Sequence, residues 1–273
     1  MKTANNVTRL RRIETKSRIG LIFGGMQEKL DKLTALLKGA QHTIALTGAG
    51  VSTLSGIPDF RSANGLYAQD WHGMSVEEIL SIDVFRVHPE YFYGMRIFVQ
   101  PEGRCQPNIV HNVLARMERQ GLMGTVFTQN IDRLHTLAGS RDVVELHGSA
   151  TTNHCLTCGA QYPFEQIVET ACQGKVPHCQ KCGGVIKPDI VFYGENLDEK
   201  ALDRADAETR HCDLMLVLGT SLVVQPAASL PVMAARHGAK LVIVNAQPTP
   251  LDDYATLRFA DLKAVFEHLD RSL

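Results

Sequence analysis

The sequence has no apolar run approaching the roughly 18 to 20 residues that cross a bilayer, so no membrane-spanning helix is expected. It has no excess of charge either: 28 basic residues face 29 acidic ones, for a formal net charge of −1. That argues against a nucleic-acid partner held by phosphate neutralisation. The first 25 residues lack a continuous apolar segment, so a secretory leader is not expected. They carry Lys2, Arg9, Arg11, Arg12, Lys16 and Arg18 instead, which reads as a solvated basic extension, with an organelle transit peptide as the alternative. No internal repeat or low-complexity segment is evident, and the single tryptophan, Trp71, is expected to pack rather than react. The seven cysteines are an odd number without export signals, which points to a reducing, cytoplasmic setting and away from disulfides. What is present is an ordinary globular composition, 44% hydrophobic and 21% charged. At 273 residues there is room for one large domain and an inserted small one.

The most informative stretch runs from Gly48 to Arg61. The β-branched apolar run at 43–47 predicts a buried strand before it. Gly48 and Gly50 then allow a sharp turn and a close approach of phosphate to backbone amides. Ser52, Thr53 and Ser55 are expected to cap a short helix whose N-terminus attracts an anion. This is the start of a nucleotide-binding βα unit, though not the usual dinucleotide fingerprint, because Thr53 occupies the third small-residue position. A glycine turn in any α/β protein would begin the same way. Pro58, Asp59, Phe60 and Arg61 after the turn favour a flap over a bound cofactor.

Further along, Leu30, Leu33, Leu36 and Leu37 predict an amphipathic helix over 26–40. Helices are also expected over 75–80, 88–98, 109–120, 226–237 and 261–269, and strands at 125–128, 143–146, 214–218 and 241–244. The alternation implies an α/β fold, a doubly wound parallel Rossmann-like sheet. Residues 62–106 should form a small helical cover over it. Each notable polar group follows a strand: 48–61, 129–132, 147, 219–221 and 245. An open α/β sheet binds its ligand at that end, so these five stretches are expected to meet in one crevice.

Cys155-x-x-Cys158 is followed, twenty residues on, by Cys179-x-x-Cys182. Four thiolates at this spacing suit a tetrahedral zinc ion with no coordination position left for water, hence a structural ion. Gly159 and Gly183 follow as the knuckle turns require. A redox reading of a lone Cys-x-x-Cys is weaker where two pairs occur together. His154 and His178 lie close enough to compete as ligands without improving on four cysteines. Cys105, Cys172 and Cys212 read as ordinary thiols.

Taken in order, Gly-Ala-Gly-Val-Ser, Gly-Ile-Pro-Asp-Phe-Arg, Thr-Gln-Asn-Ile-Asp-Arg-Leu-His, Glu-Leu-His-Gly, the two cysteine pairs, Val-Phe-Tyr-Gly-Glu, Gly-Thr-Ser and Val-Asn resemble the sirtuin family over 47–245. The resemblance implies an NAD-dependent protein-lysine deacylase of bacterial type. It implies an NAD-binding domain from 26–61, 107–150 and 186–273, the cover at 62–106, a zinc module at 151–185, and the basic extension 1–25 outside it. Ala49, Thr53, Phe60 and Arg61 would line the NAD site, and Gln129 would contact the nicotinamide ribose. Asn130, Ile131 and Asp132 would form the nicotinamide pocket, and Thr220, Ser221 and Asn245 would hold the adenosine half. His147 would be the catalytic base, apt because an imidazole titrates near working pH. The implied products are nicotinamide, free lysine and O-acyl-ADP-ribose. The partner would be an acyl-lysine peptide or protein, pairing as an added strand against Val191, Phe192, Gly194 and Glu195 on one side and Val223 on the other.

Some sirtuins remove acidic acyl groups through a Tyr-x-x-Arg in the cover, and Tyr93 and Arg96 fall about there. The surrounding residues look more like plain deacetylases, so deacetylation is the expectation and desuccinylation or demalonylation the alternative. Mono-ADP-ribosyl transfer would need the pocket without His147 as base. A zinc-ribbon NAD sensor would not need Asn130, Asp132 and His147 together.

Overall fold

The computed structural model describes residues 25–96 and 105–273. The expected basic extension up to residue 24, and the end of the 88–98 helix beyond residue 96, lie outside them. Helix α1 (25–39) leads into strand β1 (Thr43–Thr47), which turns at Gly48 into helix α2 (Ala49–Ser52). A hairpin of β2 (Asp70–Trp71) and β3 (Met74–Ser75) precedes the short helices α3 (Val76–Ile79), α4 (Ile82–Val87) and α5 (Pro89–Met95). Then come α6 (Ile109–Arg119), β4 (Val126–Thr128), α7 (Leu134–Leu137) and β5 (Val143–Glu145). The strands β6 (Gly148–Cys155), β7 (Gln161–Pro163) and β8 (Ile186–Ile190), with helix α8 (Phe164–Cys172), make an antiparallel insertion. Elements α9 (Glu199–His211), β9 (Leu214–Leu218), α10 (Leu230–Arg236), β10 (Lys240–Val244), β11 (Leu257–Phe259) and α11 (Leu262–Ser272) follow.

Six strands form one parallel sheet in the order β11-β10-β9-β1-β4-β5. Side-chain alternation on each strand sends one set to either face. Ala45, Leu216 and Val242 meet α1, α6 and α11 on one face, through Leu33, Leu114 and Phe266. Ile44, Val217 and Ile243 meet α9 and α10 on the other, through Ala205 and Ala234. Both faces are covered, so the strands read as continuous apolar runs, as in β9 (Leu-Met-Leu-Val-Leu), every residue of which is buried.

The chain runs outward from β1 through β4 and β5, then crosses back to β9 and continues the other way. The order therefore reverses between β1 and β9, where doubly wound sheets open a ligand crevice. Here the two outgoing loops touch. Gly48 N–H donates to Leu218 O at 3.0 Å and Gly50 N–H to Gly219 O at 2.9 Å. A Cβ on Gly50 would lie 2.9 Å from the Gly219 Cα, and one on Gly219 would lie 2.5 Å from the Val51 nitrogen. The glycines are therefore needed for loop-on-loop contact, and not only for the approach of a phosphate.

Three expectations are corrected. Helix α2 begins at Gly48 with no side-chain cap, so Ser52, Thr53 and Ser55 do not cap it; they lie in its last turn and the 3₁₀ turn Thr53–Ser55. The helix expected over 226–237 opens as a 3₁₀ turn (Ala227–Ser229) and becomes α-helical only at Leu230. Among the described residues, the buried core of the helical cover is not the sheet's. Its buried Phe85, Phe92 and Tyr93 cluster with Phe164, Ala171, Ile190 and Phe192 of the insertion and the segment after it, with no strand of the six-stranded sheet in the cluster. Cover and insertion thus share one core.

Gly219 has φ of +59° and no space for a methyl group. Gly219→Ala should lower stability by about 1–3 kcal/mol from the left-handed backbone alone, with the overlap adding to it. The check is the urea midpoint beside Gly238→Ala, where nothing lies within 4 Å of the added carbon.

Candidate active site and metal centre

At the strand ends lies a cleft of ≈ 830 Å³. Ala49, Thr53, Phe60, Arg61, Gln129, Asn130, Ile131, Asp132, His147, Thr220, Ser221 and Asn245 all line it, as do Val191, Phe192, Gly194 and Glu195. Five stretches distant in sequence are brought together because each follows a parallel strand of the same sheet or, for 147, the turn out of β5. Val223 does not line the cleft and is 57% exposed; its neighbours Val224 and Gln225 do. Tyr93 and Arg96 are also absent from the lining. The Tyr93 hydroxyl is buried and donates to Ile186 O at 2.7 Å, and Arg96 donates to Gln173 O at 3.0 Å.

A directed hydrogen-bond chain fixes the polar floor. Asn130 Nδ2 donates to Gly48 O and to Ser52 Oγ, both at 3.1 Å. The Ser52 hydroxyl in turn donates to Asp132 Oδ2 at 2.5 Å, and Leu134 N–H donates to Oδ1 at 2.9 Å. Burial pushes the Asp132 carboxyl above its ordinary range, opposed by these donors. Ser52 is a site residue that sequence reasoning placed only as a helix cap. Its position directly across from Asp132 depends on α2 meeting the β4 loop, which no local pattern encodes. Gln129 Nε2 donates to Thr220 Oγ1 at 2.9 Å and so joins the β4 loop to the β9 loop.

His147 leaves β5 on a backbone clamped from both sides. Its carbonyl accepts from Val191 N–H at 2.8 Å, and Gly148, at φ +75°, lies so close to Asp189 O that a side chain there would overlap it. The imidazole Nδ1 lies 3.0 Å from Gln129 O. A carbonyl can only accept, so the ring proton sits on Nδ1 and Nε2 is left bare. Burial holds the imidazole below its usual 6.5, with the Gln129 carbonyl pulling the other way. The ring is therefore a neutral base at neutral pH. His135, in the same motif as Asn130 and Asp132, points elsewhere: it is buried against His111, and its Nε2 meets Thr47 Oγ1 at 3.0 Å.

In the insertion the four Sγ atoms of Cys155, Cys158, Cys179 and Cys182 lie within 4.8 Å of one another. Cys155 and Cys182 approach to 3.5 Å and Cys158 and Cys179 to 3.6 Å. Tetrahedral zinc with bonds of about 2.3 Å sets sulfurs roughly 3.8 Å apart, so the donor set fits. Gly159 and Gly183 make the knuckle turns at φ +69° and +74°, each donating to the carbonyl of the first cysteine of its pair. Tyr162 OH lies 3.1 Å from Cys179 Sγ, and this hydrogen bond lowers the pKa of the Cys179 thiol, while the neighbouring thiols raise that of Cys182. Both candidate competitors are engaged elsewhere: His154 Nδ1 with Asp189 at 2.5 Å, and His178 Nδ1 with Gly183 O at 3.0 Å.

Residues 48–226 match the model of the Sir2 family. The chain belongs to the Sir2 family. An NAD-dependent protein deacetylase of Thermotoga maritima is 45% identical over 85% of this chain and 92% of its own length. An NAD-dependent protein deacylase 2 of Archaeoglobus fulgidus is 42% identical over 83% of this chain and 88% of its own. Among solved structures, Sir2 with a deacetylated p53 peptide and 3′-O-acetyl ADP-ribose superposes with a TM-score of 0.81 at 43% identity, covering 89% of this chain and 96% of that one. Sir2 bound to an acetylated peptide gives 0.75 at 41%, with 89% and 96% covered. In this Sir2 chain the cleft is large enough for a dinucleotide, and its amide, carboxylate and hydroxyl groups suit NAD. The four-cysteine cluster suits one structural zinc ion.

Structural zinc contributes about 10–16 kcal/mol of folding free energy to small modules. Cys179→Ser should therefore release the metal, counted by elemental analysis. Because cover and insertion share a core, it should also lower the melting temperature of the cover, followed by the fluorescence of Trp71.

Proposed function

We propose that this protein is an NAD-dependent protein-lysine deacetylase that moves the acetyl group from lysine to ADP-ribose and releases nicotinamide. The observation that carries the reading is the bare Nε2 of His147 at the wall of a cleft that also gathers Asn130 and Asp132. Bound NAD would supply an activated sugar carbon. Asn130 and Asp132 would orient the departing amide, and Gln129 and Thr220 would steady the ribose side. His147, fixed as the Nδ1–H tautomer, would take a proton from a sugar hydroxyl through Nε2. Ala49, Thr53, Phe60 and Arg61 would hold the phosphate side, and Ser221 and Asn245 the adenosine half.

The substrate would be an acyl-lysine protein segment laid along Val191–Glu195, with Val224 facing it across the cleft and Val223 turned to solvent. We place such a protein in the cytoplasm, acting on other proteins rather than on nucleic acid or membrane. Deacetylation is favoured over removal of acidic acyl groups because Tyr93 and Arg96 do not line the cleft: the Tyr93 hydroxyl and Arg96 Nη2 donate to main-chain carbonyls of the insertion instead. The names of the curated relatives and the acetylated peptide in a similar structure support the same choice. A non-enzymatic sensor would have no use for a histidine held as a free base.

Mass spectrometry of the products from NAD and an acetyl-lysine peptide should show O-acetyl-ADP-ribose and nicotinamide. His147→Ala should remove at least about 10²-fold of the rate, the scale of general-base catalysis. Arg96→Met should leave the ratio of acetyl to succinyl turnover unchanged. The acid limb of kcat/KM should fall below pH 6.5, because burial depresses the imidazole and keeps the base form populated to lower pH.

A further inference from the structure

Tyr67 and Tyr193 are 126 positions apart, and their hydroxyls meet at 2.8 Å in the wall of the cleft. Each belongs to an element with a different task. Tyr67 closes the cofactor loop on itself: its N–H donates to Phe60 O at 2.9 Å, and Leu66 N–H donates to Asp59 O at 2.8 Å. Its ring packs on Phe60 with centroids 5.3 Å apart, and the Arg61 guanidinium lies 5.0 Å over it. A Cβ on Gly65 would strike Phe60 backbone at 2.7 Å, so the loop is braced across its base.

Tyr193 belongs to the other wall. Its N–H donates to Leu80 O, and its carbonyl accepts from Ile82 N–H, both at 2.9 Å, which pins it to the cover. Two residues before it, Val191 N–H holds the His147 carbonyl. The Arg61 Nη2 also reaches the Tyr193 hydroxyl, at 3.5 Å. Burial and the Tyr193 hydroxyl push the Tyr67 phenol well above its ordinary range, so it stays protonated at neutral pH.

We propose that the Tyr67–Tyr193 hydroxyl pair is a positioning contact that couples acyl-lysine binding along 191–195 to docking of the 57–67 loop on the cofactor. The proposal rests on the deacetylase reading above. A ligand shifts a two-state element only by binding one state better. The main chain of 191–195 is already held, so an acyl-lysine packed along it fixes the Tyr193 side chain, and with it the hydroxyl, where the docked loop needs it. By linkage, the cofactor must then strengthen peptide binding by the same factor. A bond that only packed the two walls together would change stability and leave this factor alone.

The test uses the full chain and two ligands that do not react together, ADP-ribose and an acetyl-lysine peptide. Calorimetry gives the ADP-ribose Kd with and without saturating peptide, and the ratio is the coupling. Y67F and Y193F each keep the ring and remove one hydroxyl. Each should cut the ratio by ~3- to 10-fold, the scale of one hydrogen bond. The double variant should be no lower than either single one. A wild-type ratio of one, a ratio that neither variant changes, or losses that simply add would overturn the proposal. Deacetylation of the same peptide by the wild type separates the two readings. If turnover is present but the ratio is unaffected, only the coupling fails; if turnover is absent, the functional reading fails with it.

Discussion

The contact on which the site depends is between two loops at the reversal of strand order. Gly48 and Gly50 on one side and Gly219 on the other bring backbone to backbone, with hydrogen bonds of 3.0 and 2.9 Å and no room for a side chain between them. Because β1 and β9 are the two central strands, this contact sets where α2 starts and hence where Ser52 stands. It also sets the height of Thr220, which receives Gln129, and so the position of the carbonyl of Gln129 that fixes the His147 tautomer. The chemistry of the imidazole is thereby tied through hydrogen bonds to a glycine contact at the ends of β1 and β9.

The second half of the cleft is built on a different foundation. Cover and insertion are separated in sequence by two helices, α6 and α7, and two strands of the main sheet, yet they share one apolar cluster in which Phe85, Phe92 and Phe192 meet edge-on or tilted, with centroids 5.1–5.6 Å apart. The insertion itself has only a small core of its own, around Tyr162, Ile167 and Ile186, beside the four cysteines. A metal ion supplies there what apolar burial cannot. An ion held by the four cysteines would therefore do more than hold its own ribbon: it would steady the surface against which the cover, and through it Tyr193, is packed.

Much of this was legible in the chain. Strands such as 43–47 and 214–218 announce themselves because both faces are buried, and the glycine and cysteine spacings carry their own geometry. The five loops could be assigned to one crevice because a parallel sheet sends all its strand ends to the same side. What could not be read depended on partners remote in sequence. Ser52 looked like a cap, and its role as the link between Asn130 and Asp132 exists only once α2 meets the β4 loop. Helix α4 was missed although Ser81 caps it, since six residues between two other short helices leave too little periodicity. Strand β11 was missed because three residues with Arg258 at the centre do not look like a strand. His135 and His147 are equally plain in the sequence. The family resemblance singles out His147, and packing supplies the physical reason: it buries His135 against His111 and holds it near 4, while His147 faces the cleft.

The 187–195 segment shows why such a site tolerates an expensive group. Lys187 is 6% exposed, and a buried ammonium is costly unless its protons are met. Here Nζ donates to Ile190 O at 2.8 Å and Pro188 O at 3.1 Å, pairs with Glu195 at 2.9 Å and lies 4.3 Å over the Phe192 ring. Glu195 in turn accepts from Phe192 N–H at 2.8 Å. A hydrocarbon in place of the ammonium could pack in this space, but it could not bind two carbonyls and a carboxylate at once. These bonds curl residues 188–195 around a single charge and hold the main chain of 191–195 in a fixed shape. A peptide that docks by main-chain pairing reads the shape of its partner strand more than its side chains. The charge is thus better understood as setting the shape of the 191–195 main chain than as adding stability.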